Sequence, residues 1–312
     1  MKFLHRLFTL LMLVSLAFVG CEDPDTPPGN GGGNGGGNNN NNSNARLIFK
    51  FKFDPTQERL NNLGLPSSIP QGHAAQSPDF QTMGAHYVEL APSAFTAVGG
   101  GEVVYKSEET TTGGDQAIDF AALNIVEEGA EFLSVPIGDI APGTYEYLRI
   151  SLAYQNYDID FRVTVDGFGT FDLTGRIASF LGYNTYITSH QINTQSVDVN
   201  SNKAQGFWAF ETEAQAPFVP STVTSGDASN TTVVNPISST SPIPLGSCLV
   251  TGPFDNGLTI TGEETEDIIV TVSLSTNNSF EWIDNNGNGI FEPVDGEIPV
   301  DMGIRGLIPI VE

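Results

Sequence analysis

Leu47-Ile48-Phe49-Lys50-Phe51-Lys52-Phe53 decides the fold. Its apolar residues recur at every second position, so Leu47, Phe49, Phe51 and Phe53 share one face and the two lysines stand opposite. A period of two marks a strand with one face on a core and the other in solvent. Further strand patterns run over residues 85–90, 102–106, 131–137, 144–154, 206–212, 247–251, 258–261, 267–275 and 280–283. Residues 161–165 and 170–173 flank Asp166-Gly167, a pairing that suits a tight hairpin. Ala141-Pro142-Gly143 supplies a turn before residue 144.

Helical periodicity is scarce, and residues 115–123 and 175–181 are the two places where a short helix fits. Many short strands separated by Gly, Pro and Asn turns predict an all-β fold. Its antiparallel sheets would pack as a β-sandwich, jelly-roll or Ig-like. Residues 45–312 are enough for one large sandwich or two packed ones. Residues 214–244 are rich in Ser, Thr, Pro and Asn and break the pattern, as a long loop, an inserted flap or a subdivision near 215–245.

Residues 1–20 have the layout of a secretory leader. Lys2 and Arg6 precede the apolar run 7–19, and Gly20 is small. The run falls short of the ~20 residues that span a bilayer. Phe18-Val19-Gly20-Cys21 resembles the lipobox of bacterial lipoproteins, and that resemblance implies that Cys21 is lipidated and becomes the mature N-terminus. The acidic Glu22-Asp23-Pro24-Asp25 resembles the surface-export signal of Bacteroidota lipoproteins. It implies a lipid-anchored protein of the outer membrane that faces the cell exterior. Residues 27–44 are built of Pro, Gly, Asn and little else. They bury no apolar surface, so 21–44 is expected to be a disordered tether. About two dozen such residues reach roughly 25–30 Å.

The chain carries 37 acidic and 12 basic residues, two of the basic ones within 1–20. Without that segment the balance is 37 against 10, a net of −27. Nucleic acid and anionic headgroups are therefore poor partners, and no nucleic-acid partner is expected. Apart from Cys21 there is one cysteine, Cys248, in an apolar strand pattern without a nearby His. It reads as a small buried hydrophobe rather than a catalytic thiol.

The strongest local motif is Asp284-Asn285-Asn286-Gly287-Asn288-Gly289-Ile290-Phe291-Glu292. It matches the start of a calcium loop, in which oxygens at alternate positions curl around one ion and a glycine allows the sharp turn. The expected ligands are Asp284, Asn286, Asn288, the carbonyl of Ile290, Glu292 and Asp295, with Asp295 at the twelfth position where Glu is usual. Glu297 lies two residues beyond. The alternative is a turn of Asn and Gly that needs no metal. Such a calcium would be structural, at affinities on the order of 10⁻⁴–10⁻³ M. His73 and His86 are a second metal candidate, for copper or zinc, although no H-x-H or H-x₃-H spacing supports them.

No G-x-S-x-G, H-E-x-x-H or P-loop occurs. Glu108-Glu109, Glu127-Glu128 and Glu263-Glu264 are adjacent pairs, which a strand places on opposite faces. Phe207, Trp208, Phe210, Tyr183 and Tyr186 are aromatic candidates for a ligand surface or for core.

Phe49-x-Phe51-x-Phe53, then His86-Tyr87-Val88-Glu89-Leu90, then Ile137 and Pro142-Gly143-Thr144-Tyr145 leading into Leu148-Arg149-Ile150 resemble, in that order, the first half of the MbnP-like family. That resemblance covers about a third of the chain and implies a β-sandwich linked to copper handling, with no ligand set carried over. The leading expectation is a surface binding or adhesion module for a glycan or protein, stabilised by calcium. Metal handling and glycan degradation are the alternatives.

Overall fold

The computed structural model describes residues 44–214, 221–228, 239 and 246–312. The leader, Cys21, the linker up to residue 43 and most of the 215–245 segment lie outside the described residues. In chain order the strands are β1 (Arg46–Asp54), β2 (His73–Gln76), β3 (Asp79–Ala91), β4 (Glu102–Lys106), β5 (Glu109–Thr110), β6 (Ala117–Asp119), β7 (Ile125–Glu127), β8 (Glu131–Pro136), β9 (Gly143–Val165) and β10 (Gly169–Phe180). There follow β11 (Asn184–Gln191), β12 (Ser196–Ala204), β13 (Phe207–Thr212), β14 (Thr222–Asp227), β15 (Cys248–Ile260), β16 (Ile268–Ser275), β17 (Phe280–Ile283), β18 (Pro299–Asp301) and β19 (Leu307–Val311).

The fold is all-β. One sheet has the order β19-β16-β1-β8, and a large one runs β14-β13-β10-β9-β3-β4, with β15 on β9 and β7 on β3. Smaller sheets are β12-β11-β6-β5 and β18-β17-β2. Leu47, Phe49, Phe51 and Phe53 are buried as their alternation predicts, and Lys52 faces solvent. Each buried phenylalanine contributes about 1.5–3 kcal/mol over leaving it in water. They pack with Val270, Val272 and Leu274 of β16 against Val88, Leu90, Leu148 and Ile150 of the large sheet, which makes the main sandwich core. A second core lies on the other face of the large sheet. There Ile118 and Ile187 meet Ala153, Tyr154, Phe180 and Phe207.

Three sequence expectations change. β1 pairs antiparallel with β8 but parallel with β16, so this sheet is mixed. Parallel neighbours need a long connection, and here most of the chain separates the two strands. Residues 175–180 are strand, not helix, because β10 is paired on both sides, to β9 and to β13. Residues 115–123 hold β6 and one helical turn, Phe120–Ala122, whose first turn is capped by Asp119 accepting from Ala121 N at 3.1 Å.

β9 organises the large sheet. Its residues 154–165 pair with β10 and its residues 143–152 pair with β15. Ala153 sits at the changeover, and its carbonyl accepts both Leu181 N (2.8 Å) and Gly182 N (3.2 Å). On the other side β3 skips it, since Gly84 pairs with Tyr154 and Ala85 with Leu152. This bulge flips the side-chain parity. Leu148, Ile150 and Leu152 face the main core before it, and Tyr157, Ile159 and Phe161 face that core after it.

Where β15 crosses β19, Gly252 admits no side chain, for a Cβ there would lie 2.2 Å from the carbonyl oxygen of Leu307. The obstacle is backbone and cannot swing away. Gly252→Ala should therefore destabilise the domain by about 1–3 kcal/mol, whereas Gly138→Ala, with open space around it, should be near neutral. Urea unfolding of the two variants measures the difference.

Candidate functional site

The 284–297 segment folds into a compact loop between β17 and β18. Asp284 accepts Gly287 N (2.8 Å) and Gly289 N (3.0 Å), one on each carboxylate oxygen. Both glycines have positive φ, 73° and 71°, which the expected turn requires. Asn286 and Asn288 both donate from their side-chain amides to Glu292 Oε2, at 2.6 and 2.8 Å. Their own Oδ1 atoms accept Asn288 N and Ile290 N. Three of the sequence-predicted ligands, Asn286, Asn288 and Glu292, are thus brought together, while Asp284 holds the glycine amides of the same loop. Ile290 enters through its backbone N–H. Asp295 faces solvent, in a one-turn helix. The carboxylate that closes the loop is Glu297, which accepts Asn285 N (3.1 Å) and Glu292 N (2.8 Å). Among the described residues no three His, Cys, Asp or Glu side chains converge as a metal centre. Any cation here would draw on the asparagine and main-chain oxygens as well.

The loop is fastened to the large sheet. Arg162 N of β9 donates to the Phe291 carbonyl at 2.8 Å. The Phe291 ring packs on Phe280 and Trp282, with centroids 5.1 and 5.5 Å apart. Between the loop and the sheet lies an apolar groove of about 480 Å³. Trp208 and Phe210 of β13, with Phe161 and Leu173, form one wall. Phe291, Pro293, Val294 and Glu297 of the loop form the other, and Thr212, Thr222 and Thr224 lie along an edge.

Trp208 and Phe210 are half-buried, while Phe207, on the opposite face of β13, is buried in the second core. Each groove aromatic lies against a glycine of a neighbouring strand. A Cβ at Gly175 would meet the Phe210 ring at 2.3 Å, and one at Gly226 would meet Trp208 at 3.0 Å. These glycines let the rings lie down on the sheet rather than stand off it. A cleft of about 490 Å³ lies beyond Phe161 and Phe291, and its Arg162 and Asp172 are bound to each other at 2.6 and 3.0 Å.

The remaining candidates lie elsewhere. His73 binds Glu281 at 2.6 Å, and Glu281 also receives Arg59 (2.8 Å) and Arg305 (3.3 Å). His86 binds Glu109 at 3.0 Å, beside Lys106. The two histidines therefore serve different carboxylates in different sheets and are not brought together as a pair. Burial lowers the His86 pKa against the pull of Glu109. Glu264 caps its own turn at Thr261 and Gly262. Cys248 is buried, and burial pushes its thiol up to about 12. Tyr183 donates to Glu109 at 3.3 Å, away from the groove.

Sequence reasoning selected Trp208 and Phe210 and placed Glu297 just beyond the loop, but missed Phe161, Val294 and the threonine edge. The signal was the register that sets aromatics against Gly175 and Gly226, and it exists only once the strands are paired.

His190 is buried among Phe120, Phe180 and Phe207, and neither ring nitrogen has a partner among the described residues. Burial lowers its pKa from 6.5 to about 4. The fold thus holds it neutral, while the unfolded chain protonates it below pH 6.5. Its contribution is complete above pH 6.5 and is lost as pH falls toward 4. His190→Phe should retain about 1–3 kcal/mol more of its neutral-pH stability at pH 4 than wild type does. Urea midpoints across that range should show the two curves diverging; parallel loss contradicts it.

No family model, curated protein or solved structure matches this chain, so its function is argued from the site itself.

Proposed function

We propose that this chain is a lipid-anchored outer-membrane protein, tethered through Cys21 and facing the cell exterior. Its β-sandwich captures a ligand in the groove beside the 284–297 loop. The observation that carries this reading is the groove itself. Large apolar side chains are normally spent on core, yet Trp208 and Phe210 stay half-exposed in a concavity of about 480 Å³. That is the size and lining of a ligand site. The lining favours the apolar part of a ligand, such as a side chain of a protein partner, over a bare polar glycan surface.

Calcium is the proposed structural cofactor of the loop wall. Asn286 and Asn288 already converge on Glu292, and Asp284 stands at the start of the same loop. A calcium ion would draw on the Glu292 carboxylate and on the remaining lone pairs of the Asp284, Asn286 and Asn288 oxygens, each of which already accepts one backbone N–H. Loss of the ion would loosen Phe291, Val294 and Glu297, and with them one wall of the groove.

Two measurements test the reading. N-phenylnaphthylamine, a neutral apolar dye that brightens in dry sites, should bind residues 45–312. Trp208→Ala and Phe210→Ala should each weaken it by about 1 kcal/mol or more. Dye binding that ignores both substitutions removes the groove from the account. Calcium at about tenfold its Kd should add roughly 1.4 kcal/mol, a thermal midpoint shift of a few degrees in a domain of this size. Asp284→Ala should abolish that shift, and an equal rise in the variant removes the loop as its source.

A further inference from the structure

We propose that the ligand of the groove is an apolar organic cation, an alkyl or aromatic body bearing an ammonium-type charge. The inference rests on the reading of the groove as a ligand site and names the chemistry it selects. Among the described residues, Glu297 is the only charged one on the groove wall. It is 4% exposed, and each of its oxygens accepts one backbone N–H, from Asn285 and from Glu292. A carboxylate offers about four acceptor positions, so two remain open. None of the ion pairs among the described residues includes it. A buried acid with no ion-pair partner among the described residues and an apolar groove on one side is stabilised by an added positive charge. A cationic ligand supplies that charge.

The aromatic walls select the same sign. The ring faces of Trp208, Phe210, Phe161 and Phe291 carry the negative end of their quadrupoles, which attracts ammonium groups and repels carboxylates. The threonine hydroxyls accept as readily as they donate, so they do not oppose the choice. At long range the net charge of −27 left without residues 1–20 draws cations toward the surface and slows anions. An alkyl carboxylate of equal length would bury the same apolar area but set a second negative charge beside Glu297.

The test compares octyltrimethylammonium, octanol and octanoate by calorimetry on residues 45–312, in EDTA and in calcium. The expected result is a cation affinity about tenfold or more above that of the other two. Glu297→Gln should collapse that preference. Because that substitution also touches the loop, Thr224→Arg gives a second reading from an exposed edge-strand position. It should weaken the cation and strengthen octanoate. If octanol or octanoate binds as tightly as the cation, the charge inference falls while the groove reading stands. If none of the three binds, both fall.

Discussion

The break in β9 at Ala153 is the constraint on which the other parts depend. β9 runs for 23 residues, longer than any of the strands that pair with it. Here it changes neighbour once, from β15 to β10, and the Ala153 carbonyl takes two amides from the incoming turn. The bulge lets the two halves of the strand face the main core with opposite parity. Without it, either Leu148, Ile150 and Leu152 or Tyr157, Ile159 and Phe161 would be turned to the wrong side. The same bulge puts Ala153 and Tyr154 into the second core, so one irregularity serves both faces of the large sheet.

The groove follows from that arrangement. Beyond the bulge β9 extends past the start of β3, whose pairing with it begins at Asp79 and Asp158. The free edge that remains is occupied by other groups. Gln76 exchanges two hydrogen bonds with the backbone of Asp160, and the Phe291 carbonyl takes Arg162 N. The 284–297 loop is therefore docked where the sheet has run out of strands, and β13 and β14 stand across from it. The concavity between them is a product of strand lengths, and the loop is one of its walls. That gives the loop's internal chemistry a consequence outside the loop.

Much of the fold was legible in the sequence. The alternation in 47–53 identified the core face of β1 residue by residue, because a half-buried strand writes its environment directly into a period of two. The Asp-Asn-Gly spacing likewise located the 284–292 turn. What failed was long-range. Residues 175–181 admit a short helix because their local pattern is ambiguous, and pairing of β10 with two strands decided the matter. The parallel union of β1 with β16 joins residues separated by most of the chain, and no local pattern encodes it. In the loop, counting to the twelfth position chose Asp295, but the one-turn helix at Pro293–Asp295 carries that side chain outward and returns Glu297 to the interior. The acid at the groove is thus fixed by a turn that position counting ignores.

The central claim is that the 284–297 loop and the groove form one unit joined through β9. Amide hydrogen exchange of residues 45–312, with and without calcium, tests it most directly. The account predicts that calcium slows exchange at Asn285 and Glu292, whose amides bind Glu297. It also predicts slowing at Arg162, whose amide holds the loop to the sheet. Exchange at β1 and β16 should be unchanged. Slowing confined to 284–290 with Arg162 unaffected, or no slowing in the loop at all, would contradict the claim.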